Sequence, residues 1–270
     1  MNQQRYKYLM ESDEESFRLD LKTDTGAVEK QALWAGIEPG MRIADLGCGA
    51  GKTTFVLNKL VGPAGSVVGV DMSSQRIDYA QSHYSQDRIE YVCKDIREPL
   101  NDLGKFDFAW VRFVLEYYRR DGFDIVKNIS KILKPGGILC LIDLDCNCLR
   151  HFGLSKRLEK YLIELMEIME NKFNFDPYAG IKLYSYLYDL DYQDIEVNLT
   201  PHNLIYGKIK ETDYFNWTKK VEMTAKNSGC RFHDYEDGYE GFFKEFTDFF
   251  TDFRRFTYTP LISCRGRKPA

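Results

Sequence analysis

Nothing in this 270-residue chain approaches the ~20 consecutive apolar residues that a membrane-spanning helix requires, which excludes the bilayer as a partner. An excess of positive charge is also missing. The 37 basic and 41 acidic side chains leave a net charge of −4, and the short basic tail from Arg265 to Lys268 does not make the footprint that nucleic acid demands. The first fifteen residues are polar and lack the apolar core of a signal peptide. Seven cysteines, an odd number scattered along the chain, fit a reducing, cytoplasmic compartment better than a disulfide framework. Cys146-Asn147-Cys148 has no second cysteine pair at zinc-site spacing, so no metal is expected. Repeats and low-complexity linkers are absent, and nothing in the chain fixes its oligomeric state.

What is present is concentrated in Asp45-Leu46-Gly47-Cys48-Gly49-Ala50-Gly51. An apolar run, Met41 to Leu46, reads as a parallel strand, and Lys52 to Val61 carries apolar residues at helical spacing, so the alternating glycines occupy a strand-to-helix turn. Glycine tolerates positive φ there and lets the backbone approach a ligand, while helix-terminal N–H groups suit an anionic group. A phosphate-binding P-loop needs a glycine where this chain has Leu46, so Gly51-Lys52-Thr53 is a chance match. A dinucleotide fingerprint needs its third glycine where Lys52 stands, which leaves a nicotinamide-dependent oxidoreductase as the alternative. Val67 to Val70 reads as a second strand ending in Asp71, about twenty residues past the glycines, where a carboxylate meets ribose hydroxyls. Ile89 to Cys93, Phe106 to Arg112 and Leu133 to Asp143 continue the strand series, and intervening helices are expected around Val28–Gly36, Thr53–Val61, Ser73–Tyr84 and Phe123–Leu133.

In this acidic residue, glycine alternation and strand order, the chain resembles the class I S-adenosylmethionine-dependent methyltransferases, and among them the small-molecule enzymes with a lid. The resemblance implies a doubly wound α/β fold with a seven-stranded, mostly parallel, Rossmann-like sheet whose last strand, here Thr259 to Arg265, is antiparallel. It implies S-adenosyl-L-methionine as cofactor, S-adenosyl-L-homocysteine as product and a small-molecule acceptor. It also implies cofactor-binding roles for Asp45, Gly47, Cys48, Gly49, Asp71 and Met72. Asp95 would accept from the adenine amino group, Ile96 would cover the ring, and Arg112 and Arg18 would approach the methionine end. Arg112 could instead pair with Glu116 one helical turn along. A protein methyltransferase and a non-catalytic adenosylmethionine-binding module remain alternatives within the same fold.

The expected organisation is an N-terminal lid segment at 1–27, a cofactor-binding core at 28–145, and the rest of the core at 146–270 with helical substrate-cap insertions near 146–176 and 208–255. Ser12-Asp13-Glu14-Glu15 satisfies a capping box that would start the lid helix. Leu154 to Phe173 and Tyr178 to Leu190 read as amphipathic helices, and Asp194 to Leu199 as the sixth strand. Phe242, Phe246, Phe249, Phe253 and Phe256 recur at helical spacing and read as a buried helix face, whereas Tyr6, Tyr8, Tyr117, Tyr118 and Trp217 are the better pocket candidates. Methyl transfer by in-line displacement needs alignment first, and a base only for a hydroxyl or protonated amine. Base candidates after strands four and five are Glu116, Asp143, Asp145 and His151, with His202 less favoured because only the sixth strand places it.

Overall fold

The computed structural model describes residues 15–270. In chain order the elements are α1 (Glu15–Lys22), α2 (Thr25–Ala35), β1 (Arg42–Leu46), α3 (Lys52–Val61), β2 (Ser66–Asp71), α4 (Ser74–Tyr84), β3 (Ile89–Cys93), β4 (Phe106–Arg112), α5 (Gly122–Ser130) and β5 (Leu133–Leu144). They continue as β6 (His151–Phe152), α6 (Lys156–Phe173), α7 (Ala179–Tyr188), β7 (Gln193–Pro201), β8 (Ile205–Tyr206), α8 (Glu211–Ser228), α9 (Tyr239–Thr251), β9 (Phe256–Thr257) and β10 (Pro260–Arg267).

Alternation along the strands builds the layers. Successive strand residues point to opposite faces. Ala109 and Val111 of β4 therefore join one buried cluster with Ala44, Leu46, Val68 and Leu141, while Phe108 and Trp110 join another with Ile43, Val67, Cys140 and Ile142; an irregularity in register between Phe106 and Phe108 turns Phe106 to the first face. Helices α5 and α7 cover the first face through Ile125, Ile129, Leu183 and Leu187, and α2 and α3 cover the second through Val28, Ala32, Leu57 and Val61. Both faces are buried, as parallel sheets require, and this is why these strands read as unbroken apolar runs.

The seven strands lie in the order β3-β2-β1-β4-β5-β10-β7. Pairing is parallel from β3 through β5, and β10 is antiparallel to both neighbours. The doubly wound sheet with a reversed final strand, expected from sequence, is thus the fold. Strand order reverses direction at β1 and β4, and the crevice above their carboxyl ends is where ligands bind in such sheets.

A second core sits outside the sheet. Helices α6, α8 and α9 enclose Leu158, Tyr161, Leu165, Trp217, Val221, Phe242, Phe246 and Phe250, and a three-stranded sheet, β6-β9-β8, closes one side. The phenylalanine stripe is buried only over α9: Phe242, Phe246 and Phe249 are inside, but the helix stops at Thr251, and Phe253 and Phe256 beyond it are exposed. Trp217 belongs to this cap core and does not line the large cavity described below. The small sheet has no two-residue-strand signal in the sequence; only the folded cap brings those segments together. The proposed capping box and Tyr6 and Tyr8 lie outside the described residues, apart from Glu15, which opens α1.

The contrast within the stripe is testable. Phe246→Ala removes a fully buried ring and is expected to cost ~3–5 kcal/mol in chemical denaturation, whereas Phe253→Ala should stay within about 0.5 kcal/mol of the parent. Equal effects at the two positions would contradict the burial pattern.

Candidate active site

A cavity of about 740 Å³ opens at the strand-order reversal, within the size range of small-molecule sites. Gly47 and Gly49 form its floor, Asp71 and Met72 one wall, and Ile96 and Tyr118 the wall beyond β3. Leu19 and Lys22 of α1, Met166 and Phe173 of α6, and Lys220 and Thr224 of α8 bring the added segments onto the opposite side.

The glycine turn is made by crowding as much as by backbone freedom. Gly47 has φ +78°, and a Cβ there would stand 2.4 Å from a Val114 methyl. Its N–H, with that of Cys48, donates to the Val70 carbonyl, at 2.7 and 3.0 Å, so the turn is bonded to the end of β2. Asp71 completes the tie: Oδ2 accepts from Gly49 N–H, and Oδ1 accepts from Ser73 N–H and Arg76 Nε, each at 3.0 Å. A carboxylate offers about four lone-pair positions, so Asp71 keeps capacity for a ribose hydroxyl while its orientation is fixed. A turn with no room for a side chain at Gly47 and a positive φ at Gly49, next to an oriented carboxylate, fits the nucleoside end of adenosylmethionine.

Other residues expected at the cofactor are placed differently. Asp45 lies beneath the turn, buried, outside the cavity lining, and accepts from Thr54 Oγ1 at 2.7 Å. Burial first, and the neighbouring Asp71 charge second, push its carboxyl up to about 7. Asp95 also stands off the cavity, ion-paired with Arg97 at 2.5 Å, while Ile96 beside it does line the wall. Cys48 is buried in the floor. Arg112 faces the cavity and donates to Gln31 Oε1 at 3.0 Å, and the alternative pairing with Glu116 is not made. Arg18 reaches the cavity while bonded to Glu15 at 2.7 Å.

Of the four base candidates only Glu116 reaches the cavity. Its main chain is held from both sides, by N–H donation to Asp143 Oδ2 at 3.1 Å and by its carbonyl accepting from Asp176 N–H at 2.7 Å. Oε2 accepts from Asn147 Nδ2 at 2.7 Å, and Asn147 Oδ1 in turn accepts from Lys220 Nζ at 3.2 Å. Asp143 is fully buried below, where desolvation and then the Glu116 charge hold its carboxyl well above the usual range. Asp145 turns to Cys146 Sγ and lies off the cavity.

His151, preferred to His202 on sequence, is packed in the cap core. Both ring nitrogens are engaged, Nδ1 with Thr257 Oγ1 at 2.8 Å and Nε2 with the Cys148 carbonyl at 3.1 Å, and burial lowers it to about 4. His202, at the end of β7, instead lines the cavity, its ring 5.0 Å from that of Phe113. Burial, followed by the charges of Lys22, Arg112 and Lys220, pushes it down to about 3, so it is neutral at working pH. Tyr117 and Tyr118 line the cavity as expected.

Sequence reasoning missed Lys22 and Lys220, because a lysine on an amphipathic helix ordinarily faces water. Desolvation and then the Lys220 charge lower Lys22, but the side chain is exposed to solvent, which screens most of that shift. Burial opposes charge on Lys220, but Cys148 and Glu116 outweigh it and hold this ammonium above its usual value.

Comparison with known proteins agrees with this geometry. Residues 44–141 match the methyltransferase domain family model. Fold, glycine turn and match together make residues 44–141 a methyltransferase domain of the class I, adenosylmethionine-binding type. The chain is 32% identical over 106 residues to a demethylmenaquinone methyltransferase of Lactococcus lactis, covering 38% of this chain and 42% of that protein. It is 34% identical over 111 residues to a ubiquinone biosynthesis O-methyltransferase of Coxiella burnetii, covering 40% and 45%. The chain thus spans less than half the length of these curated relatives. A phosphoethanolamine N-methyltransferase 2 of Haemonchus contortus, solved with phosphomonomethylethanolamine and S-adenosylhomocysteine, superposes with TM-score 0.58 at 16% identity, over 96% of this chain and 58% of that one. No helix among the described residues is long and apolar enough to cross a membrane.

Asp45 provides a test through pH. Its carboxyl sits above the unfolded value of 3.8, so the folded chain prefers the protonated form; that contribution is present at low pH and is lost as pH rises towards about 7. The loss is on the order of 4 kcal/mol at most. Asparagine does not titrate, so the stability of Asp45→Asn relative to the parent, both without ligand, is expected to improve progressively from pH 4 to pH 8 in urea denaturation. A difference independent of pH would mean that the Asp45 charge is compensated.

Proposed function

We propose that this chain is an S-adenosylmethionine-dependent methyltransferase acting on a small-molecule acceptor. The observation that carries the reading is the continuity of one cavity from the glycine turn and Asp71 to Glu116 and the cap helices. Bound adenosylmethionine supplies an electrophilic methyl on sulfur. The protein's own residues do the rest. Asp71 takes the ribose, the Gly47–Gly49 turn lets the nucleoside lie close to the backbone, and Met72 and Ile96 flank the purine. Met166, Phe173 and Phe175 exclude water from the acceptor side, and alignment of two reactants in such a site is worth on the order of 7–11 kcal/mol.

Glu116 is the acceptor-side carboxylate. Asn147 holds one of its oxygens, which orients the side chain towards an acceptor hydroxyl or amine whose proton it takes or whose hydrogen bond it accepts. Segments 1–27, 146–176 and 208–255 act as lid and cap. Quinone-type acceptors belong to the relatives; the family match ends at residue 141, before α6 and α8, so these helices set this chain's own choice. A cavity of this volume favours a metabolite over a protein substrate, and seven unpaired cysteines support a cytoplasmic location.

Adenosylhomocysteine at one hundred times its dissociation constant should stabilise the protein by about 2.7 kcal/mol. Asp71→Ala should weaken its binding at least about ten-fold in calorimetry. Glu116→Gln should leave that affinity within about two-fold while lowering methyl-transfer kcat/KM by ~10²–10⁴-fold. Full turnover in Glu116→Gln would remove the carboxylate from catalysis, and a midpoint raised by NADH but not by adenosylhomocysteine would overturn the assignment.

A further inference from the structure

The charges lining the cavity do not balance. Among the described residues, eight basic side chains and two acidic ones, Asp71 and Glu116, line it. Five of the eight are ion-paired with carboxylates of this chain, four of them with carboxylates outside the lining. Among the described residues, no carboxylate lies within ion-pair distance of Lys22, Arg112 or Lys220. They are gathered in one place: Lys22 Nζ lies 5.7 Å and the Arg112 guanidinium 4.1 Å from the centre of the Phe113 ring, and His202 packs on the same ring. Lys220 approaches from α8, hydrogen-bonded to the asparagine that holds Glu116.

Three like charges turned into one cavity repel one another, a repulsion that water reduces at exposed Lys22 and less at half-buried Arg112 and Lys220, and that an anion bound among them relieves. Glu116 offsets one. Adenosylmethionine offers a single carboxylate against two positive groups, its ammonium and its sulfonium, so binding the cofactor deepens the positive potential instead of relieving it. The surplus has to be met by the other occupant of the cavity.

We propose that the methyl acceptor is an organic anion, a carboxylate or phosphate ester, whose charged group is held between Lys22 and Lys220 and whose apolar body lies against Met166 and Phe173. This rests on the methyltransferase reading and adds the acceptor's charge to it. Met166 and Phe173 of α6 line the same lobe as the two lysines, so an acid with an aromatic or aliphatic body reaches both, and its nucleophilic atom lies near Glu116. His202, neutral when the lobe is empty, gains affinity for a proton once an anion occupies it. Lys22 carries the pH dependence: it faces Lys220, Arg18 and Arg112 on the repulsive side, Glu116 on the attractive one and neutral His202 beside them, and loss of its proton at alkaline pH removes half of the clamp.

Phenyl phosphate, benzoate and neutral benzyl alcohol, titrated calorimetrically into the full chain saturated with adenosylhomocysteine, separate the outcomes. The expected result is that at least one of the two anions binds about ten-fold or more tightly than benzyl alcohol. Lys22→Met and Lys220→Met should each weaken that anion about ten-fold, leaving benzyl alcohol and adenosylhomocysteine affinities unchanged. Phosphate preferred over carboxylate would select a phosphate ester, and the reverse an acid. The proposal is overturned if benzyl alcohol binds as tightly as both anions, or if both variants keep the parent's anion affinity. It is equally overturned if both variants lose adenosylhomocysteine as strongly as the anion, which would give the lobe to the cofactor's carboxylate. Failure of adenosylhomocysteine to bind, with Lys22-dependent anion binding intact, would instead sink the methyltransferase reading and leave the anion lobe standing.

Discussion

Between β2 and β4 the chain has to leave β1 without a side chain at its first turn position, and the rest of the molecule is arranged around that constraint. Val114, following β4, presses to within 2.4 Å of where a Gly47 Cβ would be, and the turn's N–H groups are bonded back to the end of β2. Because β1 stands where the strand order changes direction, its helix and that of β4 depart to opposite faces, and a crevice is left above the glycines. Asp71 comes to this crevice from the end of β2, and Arg112 and Glu116 from the end of β4, for this reason, though some forty residues of chain separate the two strand ends.

The two halves of the cavity are stabilised on different terms. On the nucleoside side each charge is matched: Arg76 with Asp71, Arg97 with Asp95, Lys52 with Asp20. Oriented, satisfied groups need little rearrangement when a ligand arrives, which favours one fixed binding mode. Across the cavity, α1, α6, α8 and the end of β7 contribute Lys22, Met166, Lys220 and His202, and there the charges are left uneven. Such a surface is stable only because the sheet and the aromatic cap core beneath it are independently well buried. The core around the glycine turn and the wall formed by α1, α6 and α8 are thus built from different segments of the chain, and only the first lies within the family match.

Sequence reading reached the strand order, the reversed last strand and the glycine turn because each leaves a local record: an apolar run of strand length, a turn residue, a carboxylate at a strand end. It placed Asp71, Met72, Ile96, Arg112, Tyr117 and Tyr118 at a cavity they do line. It failed where two groups differ only in what lies across from them. Asp45 and Asp95 look alike as strand-end acids, yet Thr54 takes one and Arg97 the other. His151 and His202 both follow strands, but the first is tied to Thr257, 106 residues away, by contacts inside the cap.

The sequence by itself determined the sheet, its cofactor turn and the buried faces, because period, turn chemistry and strand-end residues act over a few neighbours along the chain. Tertiary structure alone decided which of the acids and histidines face the cavity, and that lysines from α1 and α8 meet there, because those outcomes depend on distances between segments that local patterning does not encode.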